Sequence, residues 1–233
     1  MLRLAALRIV LFAIGGLGMA WGGSNLARGA ALDELQNLES RLLQFETFGP
    51  AAAADVLQDA PVDELSGCDN HAHRSLLLLE MPLAEAALRA GAVTDFDRHL
   101  GSIESRARQV LACAPRDPLV WLILFGHEIE RGQLDEHAFD LLATSYEISP
   151  HEAWIGTRRM AVALPVVMAA PAPVQQQVLA EFRNLVRHGF VEIPARSYLS
   201  TTAATRALLQ AQVDALDVRS RQAFADALEK LRS

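Results

Sequence analysis

Lysine is almost missing from this chain: Lys230 stands alone among 21 basic residues, and no basic run is longer than the pair Arg158-Arg159. With a formal charge of −7, the clustered cations that neutralise phosphate backbones are not there, which excludes a dedicated nucleic-acid binder. Aromatic residues make up only 6%, and no alternating Val/Ile/Thr/Tyr run of strand length occurs. The chain therefore reads as all-α. Signatures of common chemistries are also absent: no G-x-S-x-G, no P-loop and no G-x-G-x-x-G occurs, and Gly15-Gly16-Leu17-Gly18 lies in the apolar N-terminus and is not a phosphate loop. His127-Glu128 opens like a zincin helix, but the fourth residue after His127 is Arg131 rather than the second histidine. These absences predict a protein that is not an enzyme and that calls for no cofactor and no metal. What is present is apolar: 51% of the 233 residues are hydrophobic against 21% charged, enough to build a core.

Residues 9–27 form an uncharged stretch behind Arg3 and Arg8. As a helix at about 1.5 Å per residue it would span roughly 28 Å, close to the ~30 Å hydrocarbon core of a bilayer. The strongly apolar part, Ile9 to Trp21, also suits a signal peptide, but Ala27-Arg28-Gly29 offers a poor cleavage site. An uncleaved single-pass inner-membrane anchor is the reading these flanks favour, with the basic end cytoplasmic and the remainder in the periplasm. Cleavage stays open. Beyond residue 28 the chain carries 18 basic and 28 acidic residues, so the exported part is an acidic body. Gly18 and Gly22 have the spacing of close helix pairs in membranes, which leaves a homodimer as an alternative to a simple anchor.

Four segments follow: 1–28 as anchor or signal, 29–58 as an amphipathic juxtamembrane helical region, 59–72 as a loop, and 73–233 as a helical domain. In the second, Leu35, Leu38, Leu42 and Phe45 share a face, with a break expected at Gly49-Pro50. In the fourth, helices are predicted from about His73 to Leu88, with Asp69 or Asn70 as cap and Gly91 as stop. The next runs from Thr94 to Cys113, with Phe96, Leu100, Ile103, Ala107 and Val110 on one face. Further helices run from Pro118 to near Gly132, Asp135 to Ile148, Pro150 to Pro165, Val174 to His188 and Ala203 to Leu231, for about nine in all.

Pro115 and Pro150 lie 35 residues apart, and each opens a helix that carries a tryptophan, Trp121 or Trp154. A second helix and Gly132 stand between them. This pattern resembles the tetratricopeptide repeat, in which helix pairs stack because one pair cannot bury its own apolar face. Trp121, Phe125, Tyr146 and Trp154 would form the repeat core. The match is imperfect, since Trp154 follows Pro150 by four residues where Trp121 follows Pro115 by six. The runs Cys113-Ala114-Pro115-Arg116-Asp117-Pro118-Leu119-Val120-Trp121-Leu122 and Ser145-Tyr146-Glu147-Ile148-Ser149-Pro150-His151-Glu152-Ala153-Trp154-Ile155 resemble alphaproteobacterial envelope proteins of uncharacterised activity encoded near surface-polysaccharide genes. Glu181-Phe182, Gly189-Phe190 and the segment 219–225 fit the same resemblance. It implies a cellular setting, with polysaccharide synthesis or export machinery as partner, and brings no catalytic residue.

Cys68 and Cys113 are the only cysteines. In an oxidising compartment an even pair is most simply a disulfide, although Cys68, His71 and His73 also place soft and imidazole ligands near one another, without an obvious fourth. Arg116, Arg158 and Arg159 could line a concave groove and hold an acidic sugar or a partner carboxylate through bidentate hydrogen bonds. Ion pairs of these arginines with Glu147 or Glu152 are the plainer expectation. The function read from the sequence is a membrane-anchored periplasmic scaffold or accessory protein, with a binding module for an anionic glycan as the alternative.

Overall fold

The computed structural model describes residues 12, 14–23, 38, 40–42, 49–60, 65 and 67–232. Every regular element among them is a helix, as the composition requires. Residues 14–23 are helical, but among the described residues no helix is long and apolar enough to cross a membrane. The rest of the expected anchor over 9–27, with Leu35 and Phe45 of the juxtamembrane helix, lies outside the described residues. The chain divides into two compact units, Met1–Cys113 and Ala114–Ser233. That boundary falls inside the stretch 73–233 assigned to one domain on sequence, because the first two helices of that stretch pair with each other and the first of them packs on the helix before it.

The first unit contains α1 (Pro50–Asp59), α2 (Asn70–Arg89) and α3 (Val93–Cys113). Proline at the first position starts α1, where its missing N–H costs no hydrogen bond. Asp69 supplies the α2 cap, its carboxylate accepting from the Ala72 N–H at 3.3 Å. The helix runs through Pro82, an interior proline that removes one backbone donor. Gly91, at φ 68°, then turns the chain. Its N–H donates to the Leu88 carbonyl and the Ala92 N–H to the Ala87 carbonyl, so α2 and α3 fold back as a hairpin. Leu76, Leu79, Ala72 and Ala53 are buried in one cluster, which Leu38 and Leu42 join. Each buried leucine stabilises by about 1.5–3 kcal/mol. On α3, Leu100, Ile103, Ala107 and Val110 are buried at the predicted 3-4-3 spacing.

The second unit begins with a hairpin of α4 (Pro118–Glu130) and α5 (Glu136–Ile148). Asp117 accepts from the N–H groups of both Leu119 and Val120, and Asp135 accepts from Ala138, so each helix starts on an aspartate cap. Phe125 and Phe139 meet between them with ring centroids 5.9 Å apart. Gly132, at φ 71°, ends α4 in a conformation that L side chains rarely adopt. Gly132→Ala is expected to cost about 1–2 kcal/mol, read as a lower urea midpoint with unchanged slope.

Then follow α6 (Ala153–Ala163), a 3-10 turn over Leu164–Ala169, α7 (Ala172–Arg187), α8 (Glu192–Ser200), α9 (Ala203–Asp214) and α10 (Val218–Arg232). Pro165 cannot donate to the carbonyl four residues back, so α6 stops before it and the chain tightens into the 3-10 turn. Helix α7 packs on α6 and α9, and α8 packs on α10. Phe224 stands edge-on to both Phe182 and Tyr198, with centroids 5.7 Å away in each case. Two expectations need correction here. The single helix over Ala203–Leu231 is two, because the Asp217 carboxylate caps α10 through the Ser220 N–H and hydroxyl, bonds that also hold its carboxyl below the ordinary value. Helix α8 was not anticipated at all: it carries Pro194 near its start, where proline is tolerated but reads as a turn signal.

Candidate functional site

The most concentrated buried chemistry lies where α5, α6 and α7 meet. Arg159 of α6 is fully buried, with 0% exposure, and Glu181 of α7 and Tyr146 of α5 are buried beside it. The guanidinium grips the carboxylate in a fork, Nε to Oε1 at 3.0 Å and Nη2 to Oε1 at 2.6 Å, with a further Nε contact to Oε2 at 3.2 Å. Tyr146 donates its hydroxyl to Oε2 at 2.9 Å, and the Arg159 Cζ stands 4.3 Å from the centre of its ring. The remaining guanidinium donors reach the carbonyls of Ser145 at 2.9 Å and Ser149 at 2.8 Å. Arg159 thus closes the C-terminal end of α5, where unpaired carbonyls and the helix dipole favour a cation. Burial pushes the Glu181 carboxyl up, against the pull of Arg159 and Tyr146. Burial, then the Glu181 charge, raises the Tyr146 hydroxyl well above its usual range. Gly156 lets the carboxylate in: a Cβ there would stand 2.9 Å from Glu181 Oε1.

This arrangement corrects two expectations about Arg159. It does not line a groove, since no face of it reaches solvent, and its carboxylate is Glu181 from 22 residues along the chain rather than Glu147 or Glu152. A guanidinium with its donors engaged inside the protein has none to offer a glycan. Arg158, its neighbour, points the other way, with Nη1 donating to the Trp154 carbonyl at 2.7 Å and Cζ 5.8 Å from the indole centre. Arg116 is exposed. Of the repeat-core residues, Phe125 and Tyr146 are buried and Trp121 is half-buried, its indole N–H donating to the Pro115 carbonyl at 2.8 Å. Trp154 belongs to the surface instead, 38% exposed at the start of α6, with its indole N–H on Glu152.

A second polar cluster crosses the α2–α3 hairpin. Glu80 is buried, and its carboxylate takes His99 Nδ1 at 2.7 Å and the Ser102 hydroxyl at 2.8 Å, with Arg106 Nε 3.8 Å away. Serine, histidine and carboxylate are all present, but the acid sits between the other two. A nucleophile-and-base relay needs the histidine in the middle, so this cluster is not that relay; it ties α2 to α3. His73, buried, meets Gln109 at 3.1 Å, while His71 is exposed at the start of α2. Among the described residues no group of three His, Cys, Asp or Glu side chains is placed to hold a metal ion. His127 is buried on α4, with Nδ1 3.5 Å from Glu128 Oε1.

Cys68 and Cys113 are joined, with Cα atoms 5.4 Å apart, within disulfide geometry. The bond closes the open end of the α2–α3 hairpin opposite the Gly91 turn. One small cleft lies between Met160, Ala161, Leu164 and Pro165 on one side and Ser197, Ser200 and Thr201 on the other. Its space of about 30 Å³ suits a water molecule or two rather than a substrate. A run of large exposed apolar side chains lies elsewhere: Phe12, Ile14, Leu17, Met19 and Trp21, on the N-terminal helical stretch.

The Arg159–Glu181 pair escaped sequence reading, although one signal existed. Val174, Val178, Phe182 and Leu185 form the buried stripe of α7, and Glu181 sits inside that stripe, as Glu80 does among the leucines of α2. A carboxylate on an apolar face implies a buried cation, but not which one. Compared with known proteins, the chain finds no matching family model, no matching curated protein and no matching solved structure.

Proposed function

We propose that this protein is a membrane-anchored periplasmic accessory or scaffold protein, a short array of stacked helix pairs that docks other envelope proteins and performs no chemistry of its own. The observation that carries the reading is the exposed apolar stretch of residues 12 and 14–23, in a chain whose helical body is tied by a disulfide. Large side chains such as Phe12, at 83% exposure, and Met19, at 76%, gain nothing in water and suit a lipid or protein environment. The Cys68–Cys113 bond suits an oxidising compartment. The Glu181 and Glu80 carboxylates are engaged inside the body, so the reading places partner contacts on its helical surfaces. Each unit contains an antiparallel helix pair, α2–α3 in the first and α4–α5 in the second, and the tetratricopeptide-like reading rests on these pairs together with the proline and tryptophan spacing of the sequence. Polysaccharide synthesis or export as the setting rests on the sequence resemblance alone. An anionic-glycan groove, the other reading, would have to be built on Arg116 and Arg158 without Arg159.

Fractionation followed by in-cell crosslinking of the tagged full-length chain tests the proposal. The expected result is a membrane fraction resistant to salt and alkali, with a co-purifying polysaccharide synthase, polymerase or export component at comparable amount. Recovery in the salt-washed soluble fraction overturns the anchor, and recovery of the chain alone from detergent overturns the scaffold.

A further inference from the structure

We propose that the Cys68–Cys113 bond is installed by a thiol–disulfide oxidoreductase acting through Cys68, with Cys113 as the resolving thiol. The two ends of the bond are not equivalent. Cys68 is exposed in the turn ahead of α2, whereas Cys113 is half-buried as the last residue of α3. Attack on a partner's disulfide needs a thiolate that can reach it, so access favours Cys68. Helix polarity favours it too. Cys68 stands at the positive end of α2, a 20-residue helix, and Cys113 at the negative end of α3, a 21-residue one. A thiolate is stabilised at the first and opposed at the second. The adjacent carboxylate, Asp69, is turned to the Ala72 N–H as helix cap.

The steps balance within the two dithiol/disulfide couples. The Cys68 thiolate attacks one sulfur of the oxidoreductase disulfide, forming a mixed disulfide and releasing the partner's second sulfur as thiolate. The Cys113 thiolate then attacks the Cys68 sulfur, closing the internal bond and releasing the partner as its dithiol. Two electrons pass from the cysteine pair to the oxidoreductase, and two protons leave the protein's thiols. The second step is intramolecular, since both sulfurs belong to one chain, and in the bonded hairpin their Cα atoms stand 5.4 Å apart. No other cysteine exists in the chain to mispair.

The test uses the reduced full-length chain in detergent, treated under native conditions with a small fraction of an equivalent of iodoacetamide and mapped by peptide mass spectrometry. Label is expected on Cys68 over Cys113 by about tenfold or more. Equal labelling, or preference for Cys113, overturns the proposal. In denaturant the ratio is expected to fall to near one, and a preference that survives unfolding overturns the structural account of it. With an aryl disulfide as probe, Cys113→Ser should form the mixed disulfide faster than Cys68→Ser, and the reverse order refutes the assignment even if both variants are loosened.

Discussion

Arg159→Met is expected to cost about 3–5 kcal/mol, because it leaves the Glu181 carboxylate buried without its cation. The carbonyls of Ser145 and Ser149 and the Tyr146 hydroxyl lose their arrangement in the same step. Domains of ordinary size are stable by about 5–15 kcal/mol, so this one substitution takes a large share of what holds the second unit together. Urea unfolding followed by tryptophan emission checks it, since Trp121 and Trp154 both lie in that unit. Glu181→Gln keeps an acceptor for Arg159 and is expected to cost less, about 1.5–3 kcal/mol, the range for hydrogen bonds to charged groups. Replacing the whole network at once, with Arg159→Met, Glu181→Leu and Tyr146→Phe, should recover most of the loss, because no buried charge is then left unpaired. A triple variant as unstable as Arg159→Met alone would refute this account of the network. The result also bears on function. Loss of partner or glycan binding in a combined Arg158→Ala, Arg159→Ala variant would report unfolding, so Arg158→Ala alone is the clean probe of the surface.

Much of the helical plan was legible in the sequence because its signals are local. Pro118, Asp135, Gly91 and Gly132 mark helix ends by fixed backbone, capping and left-handed turns, and the stripe from Leu100 to Val110 reads as one buried face. The Cys68–Cys113 pairing was legible by arithmetic, since two cysteines allow one bond. What the sequence hid is non-local. Arg158 and Arg159 look alike in a string, yet a rotation of about 100° per residue on a helix sends one outward over Trp154 and the other into the core. Trp154 illustrates the same point from the apolar side. As a tryptophan in a repeat-like position it reads as core, but it lies at the first turn of α6, where its ring covers little and Arg158 stacks on it. The break between α9 and α10 was hidden for another reason. Leu216 continues the apolar pattern while Asp217 interrupts the helix, so periodicity runs across a cap.

Removal of the disulfide, by Cys68→Ser with Cys113→Ser, is expected to destabilise the first unit by about 2–4 kcal/mol. The bond closes a separation of 45 residues, and the hairpin it closes already has a tight turn at Gly91 and a Glu80 clamp near its middle. Those contacts keep the two helices paired when the bond is absent, so the expected consequence is a loosened hairpin rather than a lost one. Native-state hydrogen exchange reads this directly. Amides of Leu76, Leu79, Ile103 and Ala107 should lose protection by about 30- to 1,000-fold, the same free energy expressed as an opening equilibrium. The largest effect should fall at the ends the bond joins, the first turn of α2 and the last turn of α3, and the smallest at the Gly91 turn. Protection unchanged along both helices would mean that the apolar seam alone fixes the hairpin. A uniform loss that reaches the Gly91 turn would mean instead that the seam of Leu100, Ile103, Ala107 and Val110 is too thin to hold α3 on α2 without the covalent tie, and that oxidation is a condition of folding for this unit.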